Sequence, residues 1–333
     1  MRKIDSKVVS KSAGSSRLIE LIINGKTLVT PTYFPAISSF GIKYSFRSLV
    51  SLFLHYKFPR VLISAYDWYF LPNEIRNETF SELKKYRLES FVFMDSGIFE
   101  SYWKADKRWN IKLHHETLSK SRFDFHTSFD ILPSQNSKDF ANETIDAAIC
   151  SREQCDKTGF IPVIHGSPDK ILLIIKQLVK SRPDLCDFIA VPERDCGESI
   201  VEKAHTVHEI RKILDSGENS PDSRMLHLLG CGDPLSMLLF VYAGASSFDS
   251  LDWLKYCADP DQLLLHNFSH LELLNCDCFV CARKDIQYVE KVFLHNLLFY
   301  QNYVLKIQEL IKENSLGKLL EEYFSKTALD KVS

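Results

Sequence analysis

Residues 160–191, FIPVIHGSPDKILLIIKQLVKSRPDLCDFIAV, decide how the chain is read. Phe160–Ile164 and Phe188–Val191 are short apolar runs rich in β-branched and aromatic residues, the pattern of strands buried on both faces. Between them, Pro168–Ser181 repeats apolar residues at helical spacing, with proline where the first turn needs no N–H. Strand, helix and strand in this order form a unit whose two strands run parallel in one sheet.

The alternation extends in both directions. Thr32–Phe34, Val61–Ser64, Phe91–Met94 and Phe123–Ser128 read as the four preceding strands, and Leu226–Leu229 and Ser247–Asp249 as the two that follow. Ser45–Tyr56, Asn136–Lys157 and Glu198–Leu214 are further amphipathic segments between them. Eight strands alternating with helices predict an α/β fold, a (β/α)8 TIM barrel. An open doubly wound sheet is the competitor, but no G-x-G-x-x-G or P-loop follows any strand. Ahead of the barrel, LIELII and KTLV flank Asn24-Gly25, a dipeptide favoured in type I′ turns, so a hairpin is expected there. Residues 1–17 hold Arg2, Lys3, Lys7, Lys11 and Arg17 against Asp5 and read as a flexible basic arm, either a solvated tail or a phosphate-binding one.

Beyond the last strand comes NCDCFVCARKDIQYVEKVFLHNLLFY, residues 275–300. Cys276, Cys278 and Cys281 are spaced C-x-C-x2-C, and His295 follows. Three thiolates and one imidazole complete a tetrahedral shell, which suits a structural Zn2+ and leaves no open position for catalysis. The expected division is therefore a basic arm (1–17), a barrel domain (18–270), and a zinc-binding helical subdomain with C-terminal helices (271–333).

Composition narrows the class. With 45% hydrophobic residues in 333, the chain can bury a full core, and a net charge of −2 argues against a generally basic nucleic-acid coat while permitting local patches. No stretch resembles a membrane span or a secretory signal, and nine scattered cysteines point to a reducing, cytoplasmic setting without a membrane partner. In a TIM barrel the chemistry stands at the carboxyl ends of the strands. Those ends carry Asp67, Asp95-Ser96-Gly97, Asp130, His165-Gly166-Ser167, Gly230-Cys231-Gly232 and Asp249. One Asp after a strand is commonly a helix cap, but several carboxylates converging on one rim repel one another and call for a ligand or a reaction.

Five elements and the cysteine cluster, in order over roughly residues 18–312, resemble the tRNA-guanine transglycosylase superfamily. FMDSGIFES is similar to that family's DSGGFQ element, TSFDILPS to SFDE, and FIPVIHGS to VVQGS; LHLLGCGDP resembles H-L-x-G-x-G-x-P, and GASSFDS the archaeal GCDLFDS. The resemblance implies Asp249 as nucleophile toward C1′, Asp95 as proton shuttle, Asp130 as acceptor for the purine's N1–H and 2-amino group, and Phe99 as stacking partner. It further implies base contacts at Ser96, His165, Gly166, Val191 and Gly230, and zinc on the four ligands above. The chain departs from the family at His165 (Gln), Pro192 (Gly), Ser64 (Asn) and Glu100 (Gln).

The loop after the third strand, Tyr102 to Lys112, interleaves aromatics with Lys104, Lys107, Arg108 and Lys112, which suits stacking on bases while neutralising phosphates; a solvated helix start with Trp109 buried is the plainer alternative. Ser250-Leu251-Asp252-Trp253 stands where the bacterial tRNA-specific branch has Pro-Thr-Arg, and the PUA-type tail of the archaeal branch is expected to be missing. The chain looks most like the DpdA group, which puts 7-deazaguanines into DNA. The expected activity is thus exchange of guanine in DNA for a 7-deazaguanine base such as preQ0, by a pentosyltransferase. Exchange on tRNA, or a non-catalytic nucleic-acid-binding partner subunit, are the alternatives, and a homodimer or helper proteins are the further partners it leaves open.

Overall fold

The computed structural model describes residues 5–133, 139–155, 159–216 and 222–332. Three antiparallel strands open the chain: β1 (Asp5–Lys11), β2 (Arg17–Ile23) and β3 (Lys26–Thr30). The barrel follows as β4 (Thr32–Ile37), β5 (Arg60–Ser64), β6 (Phe91–Asp95), β7 (Phe125–Thr127), β8 (Gly159–Ile161), β9 (Phe188–Pro192), β10 (Met225–Leu229) and β11 (Ser247–Ser250). All pairings are parallel, in the order β8-β7-β6-β5-β4-β11-β10-β9. A parallel bridge between Val163 and Ala190 joins the two ends, so the sheet closes as a (β/α)8 barrel.

Strand parity sorts the side chains into two cores. On β9, Phe188 and Ala190 point into the barrel with Phe34, Phe93 and Phe125, while Ile189 and Val191 face the surrounding helices. The interior cluster is plugged at one end by Ile19, Leu21, Ile23 and Leu28 of the hairpin. Asn24 and Gly25 take positive φ of 52° and 76° at its turn, as a type I′ turn requires.

The basic arm is largely not an arm. Asp5–Lys11 pairs with β2 as a third strand, because its sequence alternates inward and outward positions and Val8 packs against the interior cluster. Lys7 and Lys11 lie on the outward side, paired with Glu20 at 2.9 Å and Asp222 at 2.8 Å. Arg2 and Lys3 fall outside the described residues.

The same end of the barrel buries Asp124 completely, with Lys26 Nζ at 2.9 Å, Asn24 Nδ2 at 2.9 Å and the Val92 N–H at 3.0 Å. Arg87 stands at 3.8 Å. These contacts pin the hairpin turn to the barrel wall.

After β11 a short hairpin, β12 (Tyr256–Asp259) and β13 (Leu264–Asn267), leads to the cysteine cluster and a 25-residue helix, Tyr288–Lys312. That helix shares the barrel's outer core through Phe293, Leu297, Tyr300, Val304 and Ile307. Tyr300 stacks on Tyr33 at 4.0 Å, and Gln308 donates to the carbonyls of Val29 and Pro31. Among the described residues no helix is long and apolar enough to cross a membrane.

Candidate active site

A cavity of about 330 Å³ opens at the carboxyl ends of the barrel strands. Asp95, Ser96, Phe99, Asp130, His165, Gly230 and Asp249 line it together.

Asp249 ends the inward face of β11. Its Oδ1 accepts from His227 Nε2 at 3.0 Å and from the Gly230 N–H at 3.1 Å. His227 is fully buried on β10 with Ser247 Oγ 2.7 Å from its Nδ1, so a serine hydroxyl and a carboxylate fix the tautomer that donates to Asp249. Both bonds fall on one oxygen, which leaves Oδ2 for chemistry. Ser64, at the end of β5, donates to Glu100 at 2.8 Å.

Asp95 stands at the end of β6 and accepts the Gly97 N–H at 3.0 Å. Burial, with Glu100, Asp130 and Asp249 nearby, pushes its carboxyl well above the ordinary carboxylate range. Gly97 has φ 72°, and a Cβ there would run into the Tyr66 backbone, which explains glycine in this turn. Glu100 is also buried, and desolvation with the Asp67 charge raises it to about 7.

His165 bridges two carboxylates. Its Nε2 lies 3.2 Å from Asp130 Oδ2 and its Nδ1 3.0 Å from Asp195 Oδ2. Burial alone would lower this imidazole, but the two carboxylates outweigh it and raise it to about 9. His165 lines the cavity, and both of its ring nitrogens are taken up by carboxylates. Among the described residues, Asp130 Oδ1 and Thr127 Oγ1 are buried without a hydrogen-bond partner, and both residues line the cavity.

Two expected contacts lie elsewhere. The Val191 side chain has the outward parity of β9 and sits in the outer core, while Gly166 turns its N–H toward Asp195 at 3.4 Å. At the mouth, Phe99 meets Phe40 edge-on and Phe40 stacks on Trp103, with Tyr102 and Trp103 exposed. Trp109 is buried, donating its indole N–H to the Ser96 carbonyl at 2.9 Å. Lys104 is bound to Ser39 and lies 3.6 Å from Asp67, and Arg108 forks onto Asp106. Lys107 and Lys112 are exposed.

Sequence reading missed Thr127, Asp195 and His227. His227 carried a signal, a lone imidazole in an otherwise apolar buried strand, since such a group needs partners.

Cys276, Cys278 and Cys281 place their Sγ atoms 3.6, 3.7 and 3.4 Å from His295 Nδ1. A tetrahedral zinc with ~2.3 Å bonds to sulfur and ~2.0 Å to nitrogen sets those atoms about 3.5 Å apart, so the four donors fit the ion. His295 Nε2 is 2.7 Å from the Ala258 carbonyl, which orients Nδ1 toward the sulfurs. Neighbouring Asn296 bonds the Ala258 N–H and the Trp253 and Tyr256 carbonyls, tying this shell to the end of the barrel.

A closed parallel barrel, carboxylates around one rim cavity and a Cys3His shell define a TIM-barrel protein with a zinc-type appendage. Its sequence is similar to those of archaeal tRNA-guanine(15) transglycosylases. It is 25% identical to the tRNA-guanine(15) transglycosylase of Methanococcus aeolicus, over 92% of this chain and 50% of the relative. The enzyme of the same name from Methanocaldococcus jannaschii is 25% identical over 91% and 49%, and that from Thermococcus kodakarensis 23% over 92% and 55%. The chain thus spans about half the length of these curated relatives. No protein-family model matches it. The relatives' names specify tRNA and lend no support to the DNA-directed group.

Proposed function

We propose that this chain is a base-exchanging pentosyltransferase that replaces guanine in a nucleic acid through a glycosyl–Asp249 intermediate. The observation that carries this reading is the pairing, in one cavity, of Asp249, held by two donors on one oxygen, with Asp95, a second carboxyl that burial and neighbouring acids push above the ordinary range. Retaining exchange at an anomeric carbon needs such a pair. Asp249 Oδ2 attacks C1′ as the C1′–N9 bond breaks, and Asp95 gives its proton to the departing guanine. The incoming base returns a proton from N9 to Asp95, bonds to C1′ and releases the Asp249 carboxylate. Asp130 Oδ1 accepts from the base's donor edge, and Phe99 stacks on its ring. Zinc on Cys276, Cys278, Cys281 and His295 holds the C-terminal region in place, and a cytoplasmic setting belongs to the same proposal.

The relatives' names support tRNA as the polymer. The second reading, DNA with a 7-deazaguanine such as preQ0, rests on the sequence after Asp249, Ser250-Leu251-Asp252-Trp253, which stands where the bacterial tRNA-specific branch has Pro-Thr-Arg. The segment after the nucleophile turns inward, with Ser250 on the Tyr33 hydroxyl and Trp253 donating to the Ala36 carbonyl. Labelled guanine offered with tRNA and with DNA tests both readings. Wild-type protein should label one polymer, and Asp249→Asn should lower the rate by about 10³-fold or more without loss of fold. Near-normal exchange by that variant would remove Asp249 as nucleophile. Labelling of tRNA alone would end the DNA reading.

A further inference from the structure

We propose that Asp195 is a positioning residue acting through His165: it keeps the imidazole donating from both nitrogens, which locks Asp130 with one oxygen engaged and the other left for the incoming base. The inference rests on the proposed base exchange and deepens it, because it assigns the selectivity of the same cavity. It stands on the unbroken chain Asp195 Oδ2–Nδ1 His165 Nε2–Oδ2 Asp130, at 3.0 and 3.2 Å. A second, independent observation is the pair of buried atoms at its end, Asp130 Oδ1 and Thr127 Oγ1, which on the cavity wall have no partner among the described residues. Natural folds seldom leave such atoms unpaired unless something else satisfies them. A neutral imidazole could donate to only one of the two carboxylates and would turn an acceptor nitrogen toward the other. A carboxylate at each ring nitrogen therefore favours the imidazolium, and against the effect of burial these two raise it to about 9.

The chemical consequence is directional. With His165 donating twice within the protein, and Pro192 on the same wall lacking an N–H, this wall reads its ligand chiefly through an acceptor. It selects a base with an adjacent N–H and amino edge, as guanine and 7-deazaguanines have, and is permissive about the opposite edge. The charged groups around His165 are Asp130 beyond β7, Asp195 with Arg194 at 3.6 Å from it, and Asp95 and Asp249 on the cavity. Glu193 is paired with Lys203 at 2.8 Å, and Lys170 of the following helix lies over Phe140.

The test follows the His165 ring resonances and guanine affinity against pH in the full chain, wild type and Asp195→Asn. Wild-type His165 should titrate near 9, and guanine affinity should fall as pH rises through that value. In Asp195→Asn the titration should move to lower pH. Its guanine affinity at pH 8 should drop about tenfold or more relative to wild type, and this deficit should largely vanish at pH 5.5, where an ordinary imidazole is protonated. Asp195→Glu should restore most of the loss. A deficit equal at both pH values, or none, or a His165 titration that does not move, overturns the inference. Failure of the wild type to bind guanine would instead overturn the base-exchange reading, and the His165 titration alone would still decide whether Asp195 holds the ring.

Discussion

Asp124 at the closed end of the barrel and Asp95 at the open end both follow the sheet's wall, yet they live in opposite surroundings. Asp124 is met by Lys26, Asn24 and a backbone N–H, with Arg87 beyond. Asp95 has one backbone N–H and three other acids for company. A buried carboxylate that is paired fixes structure, while one left among like charges is held at a cost that a ligand or a proton relieves. The Cys276, Cys278, Cys281 and His295 cluster, which could hold a metal ion, belongs with the first kind, because its four donor atoms lie within 4.8 Å of one another. The difference separates what holds this fold from what the fold is for.

Three changes probe that contrast, taken from the largest effect down. Cys278→Ser removes one donor from the closed shell, and structural zinc contributes on the order of 10 kcal/mol in small domains. The wild type should carry close to one zinc per chain by elemental analysis; the variant should carry much less and lose protease resistance first around Asn275–Tyr300. A metal-free wild type that is fully folded would dissolve the comparison on this side.

Asp124→Ala leaves Lys26 and Asn24 without their shared acceptor. Removing one partner from a buried ion pair costs about 3–5 kcal/mol, and urea denaturation should show a loss of that order. A change below about 1 kcal/mol would mean the closed end is no better paired than a surface bridge.

Glu100→Gln should act in the opposite sense. Glu100 is raised from 4.5 to about 7 in the folded chain, so folding holds its proton more tightly than the unfolded chain does. The resulting penalty is absent below the unfolded value, grows as pH rises between the two, and is complete above the folded one. The substitution should therefore leave stability unchanged near pH 4 and raise it by about 1–3 kcal/mol at pH 8. A stabilisation independent of pH would show that burial of the charge is not the reason.

Much of this is legible in the sequence itself. The eight strands appear where apolar runs and turn residues put them, the Asn24-Gly25 turn is as its dipeptide requires, and the cysteine spacing with His295 yields four donors at zinc-compatible distances. These are local properties: period, turn chemistry and ligand spacing act over a few residues. Misread was Asp5–Lys11, whose basic residues looked like a tail because its apolar partner, the plugged end of the barrel, is distant in sequence.

At the site, sequence named Asp95, Asp130, His165 and Asp249, and the barrel brings all four to one cavity. It did not show that Lys104 and Arg108 are claimed by Asp67 and Asp106, or that Val191 faces away. Nor did it show that His227 supports Asp249, or that Asp195 reaches His165 across 29 intervening positions. Residue type and local period set which groups stand at strand ends. Which of them meet, and hence which carboxylate is paired, protonated or left open, depends on contacts between strands far apart in the chain, and only closure of the barrel decides those.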